Sequence, residues 1–177
     1  MRAGAMFVLC QAGWFLCVAG AARHAALLGI GFAAGMAAGH LVSHAQPARA
    51  AGLVVSVMAI GWLWDSLLAR TGLLVYVDSA LPVVAAPVWM AALWALFAIQ
   101  LDGPFRWLQG RPWLAAGLGA LVAPLSFRAG AALGAVKMAD VGEALLAIGL
   151  GWAFLLPACL ALARRWHAPS RGEVRDS

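Results

Sequence analysis

Two ionisable residues stand inside apolar runs. Asp65 lies in Trp62-Leu63-Trp64-Asp65-Ser66, and Arg128 in Leu125-Ser126-Phe127-Arg128-Ala129. A charge near the centre of a spanning helix costs roughly 2.5–3.5 kcal/mol on insertion scales, so such residues pair or line polar cavities. Asp65 precedes Arg70 by five residues and Arg128 precedes Lys137 by nine. At about 1.5 Å per residue this puts them roughly 7–8 Å and 13 Å inside the same boundary. The expectation is an ion pair or a shared polar pocket, and foremost a buried pair that only fixes packing. A ligand or proton site, and an Asp65 that makes no such contact and simply reaches the outer interface, are the alternatives.

Gln11, His40, Ser66 and Ser126 are secondary polar candidates. Gln11 and His40 could bridge the first two apolar runs by a hydrogen bond. His40 and His44 are four apart and share a helix face, a spacing that suits a metal ion. No Asp, Glu or Cys stands near them in sequence, so an interfacial pair is expected and no metal site. Cys10, Cys17 and Cys159 lie inside apolar runs, are odd in number and lack metal-ligand spacing. They read as small buried hydrophobes. Asp78, Asp140 and Glu143 read as loop and cap charges, with Asp140 the N-cap of the last run. Motifs of hydrolases, metalloproteases and phosphotransferases are absent, and Ser66 and Ser126 have no His–Asp context. The balance leans away from an enzyme, and no cofactor is expected.

The elements that must position these residues follow from composition. Of 177 residues, 64% are hydrophobic and 11% charged, with Gly 20 and Trp 9. Soluble domains are about 45–50% apolar and about 25% charged. As the class of the whole chain, a soluble enzyme, a disordered tail and a disulfide scaffold are thereby excluded. Six apolar runs cover residues 5–22, 25–42, 51–68, 87–101, 113–136 and 141–163. The first has the look of a signal peptide, but more membrane follows, so it is retained. The fold class is all-α: a polytopic transmembrane bundle of about six helices. It forms one domain over residues 1–166, with a disordered tail at 167–177. Residues 71–86 are apolar but broken by Asp78 and Pro82 and closed by Pro87, which suits an interfacial or re-entrant segment.

With six spans both termini share a side. That side carries eight Lys or Arg residues and the other carries three, leaving out Arg128. The excess predicts cytoplasmic termini in a bacterial inner membrane. Trp107, Trp113 and Trp166 fall at that same face, as an aromatic belt would. Topology accounts for the basic balance, so no nucleic-acid partner is expected; the lipid bilayer is. Gly31, Gly35 and Gly39 form a repeated G-x-x-x-G, which lets a helix approach closely. It serves either packing within the bundle or a homodimer or other membrane partner. Gly117, Ala120, Pro124, Arg128, Ala131 and Ala135 form a second stripe.

An ordered set of strings carries a resemblance. It comprises Gln11-Ala12-Gly13-Trp14-Phe15-Leu16-Cys17-Val18, Asp65-Ser66-Leu67-Leu68 and Pro87-Val88-Trp89-Met90 with Ala92-Leu93-Trp94 and Phe97-Ala98. Trp107-Leu108, Arg111-Pro112, Gly119-Ala120, Pro124-Leu125-Ser126-Phe127, Ala129-Gly130 and Leu133-Gly134-Ala135 complete it. Together they resemble a bacterial family of small integral membrane proteins, the domain of unknown function 2878, over residues 5–165. Phe127 stands where that family leads one to expect Tyr, which removes a phenolic hydroxyl. The resemblance implies no activity, cofactor or catalytic residue. It does suggest a neighbourhood of fatty-acid-modifying enzymes of the cyclopropane-synthase type. The expected function is a non-enzymatic accessory factor in envelope or lipid metabolism. The alternative is a small-molecule or lipid binding or transport protein with a polar site in the outer half of the membrane.

Overall fold

Each of the six apolar runs folds as a helix, since a backbone with no water to bond must satisfy itself internally. The computed structural model describes residues 3–78 and 85–167. The order is α1 (Ala3–Ala22), α2 (Leu27–Ser43), α3 (Pro47–Arg70), β1 (Leu74–Tyr76), α4 (Val88–Gln100), α5 (Pro112–Ala132), β2 (Val136–Met138) and α6 (Val141–His167). A single 3₁₀ turn, Arg106–Leu108, interrupts the connection between α4 and α5. The helices α1, α3, α5 and α6 are long and apolar enough to cross a membrane; α2 and α4 are shorter apolar helices.

The short helix α4 is the axis of the bundle. Its 13 residues rise about 20 Å, less than the roughly 30 Å of a hydrocarbon core. Only Val88 on it is exposed. A helix apolar all round has no solvent face and sits inside. It packs against α1, α2 and α3, and its Trp94 stacks on Trp152 of α6 with ring centroids 4.9 Å apart.

The segment predicted to be interfacial or re-entrant forms half of a two-stranded ribbon. β1 pairs antiparallel with β2, with Val75 opposite Lys137. Positions 79–84 of that segment, and the predicted tail from 168 onward, lie outside the described residues. The fifth helix therefore ends at Ala132, and Val136 belongs to a strand. Gly134 breaks the helix with φ +89°, and Gly72 does the same after α3 with φ +77°. That left-handed conformation is costly for any residue with a Cβ. The same plan thus occurs twice: helix, left-handed Gly, three-residue strand, and an Asp two positions beyond. Asp78 Oδ2 accepts the Ala26 amide at 3.2 Å. Asp140 Oδ1 accepts the Glu143 amide at 2.8 Å, the expected N-cap of α6. The helices leading into the two strands also begin alike, as Pro47-Ala48-Arg49-Ala50-Ala51-Gly52-Leu53 and Pro112-Trp113-Leu114-Ala115-Ala116-Gly117-Leu118.

The small residues divide into two roles. Gly29 lies against the Cys17 backbone, so α1 and α2 cross in contact. In the α5 stripe, Ala120 and Pro124 face Gly149 of α6. By contrast Gly31, Gly35 and Gly39 have open space where a Cβ would stand, and all three are exposed. Within the chain that stripe packs no helix. Gly29→Ala should lower stability by about 1–3 kcal/mol through overpacking. Gly35→Ala should change it by less than about 1 kcal/mol, and in the stabilising direction. Thermal unfolding of the two variants in one detergent checks the contrast.

Candidate functional site

Asp65 is on the inward face of α3 and is 0% exposed. Its Oδ2 accepts the Trp94 indole N–H at 2.6 Å, and its Oδ1 accepts the Tyr76 hydroxyl at 3.3 Å. Two donors from two other elements thus meet one carboxyl group, which meets the demand that buried polar groups be bonded. Gly61, one turn earlier on α3, makes the approach feasible. A Cβ there would overlap the Trp94 ring. Burial, the neighbouring Asp65 carboxyl and their hydrogen bond together hold the Tyr76 phenol well above its usual pKa. Tyr76 therefore stays protonated and remains a donor.

Ser66 and Trp62 extend this anchor along α3. Ser66 Oγ donates to Trp62 O at 2.7 Å and accepts the Ala86 amide at 3.0 Å. Trp62 Nε1 donates to Ala86 O at 2.8 Å. From α4, Trp89 Nε1 donates to Val77 O at 3.1 Å. The chain is thus held at Tyr76 and Val77 before the undescribed stretch and at Ala86 after it. Ser66 is a structural ligand of the backbone, not a cavity group.

The partner predicted for Asp65 is elsewhere. Arg128 is exposed, and among the described residues no salt bridge joins it to Asp65. A similar depth along two helices does not fix the direction in which their side chains point. Ser126 lines the interior cavity, and two residues further along α5 is a rotation of about 200°.

Beside Asp65 lies a cavity of about 410 Å³. Its walls are α1, α4, α5, α6 and the connection 101–111. Phe7, Gln11 and Trp14 of α1 face Leu118, Val122 and Ser126 of α5 across it. These positions are three or four apart on each helix, so each set forms one stripe. α1 and α5 barely touch, and Phe7, Gln11, Trp107 and Val122 are exposed. The mouth therefore opens sideways between α1 and α5. The back wall is the Trp94–Trp152 stack, with Phe97 edge-on to both rings. A small side pocket of about 40 Å³ continues past Ser126 and Phe127 toward the ribbon. In the other direction the cavity reaches Phe105 and Trp107, so it is not confined to the ribbon half.

Few polar atoms line it. Gln11 is at the mouth and forms no described hydrogen bond to His40, because α1 meets α2 through the opposite face at Gly13 and Cys17. Gln100, which closes α4, is 6% exposed. Its Nε2 donates to Leu96 O at 2.9 Å, while its Oε1 is buried with no hydrogen-bond partner among the described residues. Trp152 Nε1 is likewise buried and unpartnered. Such orphaned atoms are rare in a folded interior. The lining contains no His, Lys, Arg or Cys. Among the described lining residues the carboxyl group is that of Asp65, whose two oxygens already accept hydrogen bonds from Tyr76 and Trp94. Trp94, Tyr76, Gln100 and Trp152 escaped the reading of the sequence; only Gly61, at helical spacing from Asp65, hinted at a bulky neighbour. His40 lies away from this site, beside His44 and Asp102.

Asp65→Ala should cost about 2–4 kcal/mol, since it strands the Trp94 and Tyr76 donors. Arg128→Gln should cost less than about 0.5 kcal/mol, and the double variant should equal the sum. Unfolding midpoints of the three variants test this; rescue in the double variant would show that the two residues pair.

Neither the curated proteins nor the solved structures yielded a match. The family model described as protein of unknown function (DUF2878) matches residues 4–158. That match takes in nearly all of the six-helix bundle and the whole anchor around Asp65, and the chain belongs to this family.

Proposed function

We propose that this chain is a multi-pass membrane protein that binds one uncharged amphipathic molecule, of the lipid class, in the lateral cavity. The observation that carries the reading is a cavity of about 410 Å³ with an apolar mouth, lined by Gln100 and Trp152, each of which has a buried polar atom without a hydrogen-bond partner among the described residues. That volume is within the roughly 300–1,000 Å³ of ligand pockets. An acyl or isoprenoid chain enters sideways from the bilayer between α1 and α5. One neutral polar group then donates to Gln100 Oε1 or accepts from Trp152 Nε1. A charged head group is disfavoured, because the lining offers no cation and the Asp65 carboxyl is already bonded.

The role is that of a non-catalytic component that holds or presents a lipid, in keeping with an accessory part in envelope or lipid metabolism. The largely apolar lining supports binding as the role. The Lys and Arg excess near the end opposite the ribbon supports cytoplasmic termini in a bacterial inner membrane. In that orientation exposed Arg128 reaches along the helix toward the ribbon interface.

Mass spectrometry of the detergent-purified protein tests the proposal. Wild type should carry one defined lipid species per chain. Val122→Trp fills the mouth without touching the anchor and should lose it while keeping the wild-type unfolding midpoint. Bulk phospholipid alone in both samples would overturn the reading.

A further inference from the structure

At the end of the bundle opposite the ribbon, the last turn of α2 meets the segment that follows α4. His40 and His44 are one helical turn apart, with ring centroids 5.4 Å from each other. Asp102, some sixty positions later in the chain, completes a trio. One ligand atom from each of the three residues lies within 4.8 Å of the other two. We propose that His40, His44 and Asp102 form a site for a single divalent transition-metal ion of the zinc class.

The backbone holds the three residues in place on both sides. His44 caps α2 in an extended conformation, and its amide donates to Leu41 O. Asp102 stands in a hydrogen-bonded turn, where the Gly103 and Phe105 amides both donate to Gln100 O. α2 and α4 pack directly against each other, so the two halves of the site are fixed by the bundle core. Zinc takes His nitrogen and carboxylate oxygen at about 2.0–2.2 Å in a tetrahedron, which requires ligand atoms roughly 3.3 Å apart by that geometry. Small side-chain rotations close the remaining gap.

The ligand types choose the metal. Two imidazoles and one carboxylate suit zinc and its neighbours, whereas calcium and magnesium prefer all-oxygen shells. The surroundings are otherwise basic, with Arg49, Arg106 and Arg111 on the same end. A metal ion is therefore captured by direct coordination rather than by the field of the surface. His44 Nδ1 now accepts the Gln46 amide at 3.1 Å, at an exposed position. Binding exchanges that hydrogen bond for a metal–nitrogen bond, either at Nδ1 itself or at Nε2 after the ring proton moves to Nδ1. Three protein ligands leave a fourth position for water. Because Phe105 and Trp107, just beyond Asp102, line the lateral cavity, a bound ion also braces one wall of that cavity.

The test uses tag-free full-length protein, stripped with chelator and titrated with Zn²⁺ by calorimetry and with Co²⁺ by visible absorption. One ion per chain should bind, and Co²⁺ should give the absorption of a four- or five-coordinate site. Changing a residue that only hydrogen-bonds to a metal ligand costs about 10–100-fold in metal affinity, so His40→Ala and Asp102→Asn should each weaken binding by at least about that factor. His24→Ala, at the ribbon end, should leave it unchanged. Unfolding midpoints identify any variant that fails to fold, and the remaining one decides. Absence of saturable binding would reduce the trio to an imidazole–carboxylate contact and overturn the proposal. Binding that survives both substitutions would overturn it equally.

Discussion

A carboxyl group deep in an apolar bundle has to be satisfied by the protein itself. Asp65 meets this requirement with one donor from the central helix and one from the ribbon. An orphaned donor or acceptor in such a place costs about 1–3 kcal/mol, so the arrangement is strongly specified. It fixes Trp94 against α3, and the neighbouring Ser66 and Trp62 fix Ala86. Tyr76 then seats β1, and β1 seats β2. In this way one side chain sets the depth of α4 and the position of the ribbon.

The cavity follows from the same constraint. Trp94, held by Asp65, is stacked on Trp152 of α6, and the pair forms the back wall of the cavity. α1 and α5 stand apart at its mouth. In water such a gap between apolar faces would be driven closed. In a bilayer the lipid chains are as apolar as the faces, and that driving force is missing. An apolar lateral opening is therefore compatible with a bilayer, and it is the feature on which the proposed lipid binding rests.

Much of the fold was legible because membrane helices announce themselves by length and hydropathy. All six helices were expected from the apolar runs, and the Asp140 cap was expected from its position. What escaped were the features made by distant residues. Tyr76 and Trp94 are apolar-looking positions in sequence; the close approach at Gly61 brings the Trp94 ring to Asp65, and the ribbon brings the Tyr76 hydroxyl. The fifth apolar run was carried on to Val136, the first residue of the strand Val136–Met138, although the recurrence of a Pro-initiated helix ending near Gly and then Asp was present in both halves. Arg128 was matched to Asp65 by depth alone, with no information on helix rotation. His40 and His44 were seen as a pair, but Asp102 joins them only through the contact of α2 with α4.

The bond between Trp94 and Asp65 is the claim on which the rest stands, and indole ¹⁵N–¹H spectroscopy in micelles addresses it directly. The Trp94 indole proton should be shifted downfield and protected from solvent exchange, in contrast to that of Trp113, which is 89% exposed. Asp65→Asn should move the Trp94 signal more than that of any other tryptophan. A Trp94 proton that exchanges as freely as that of Trp113 and ignores the Asp65 substitution would contradict the account.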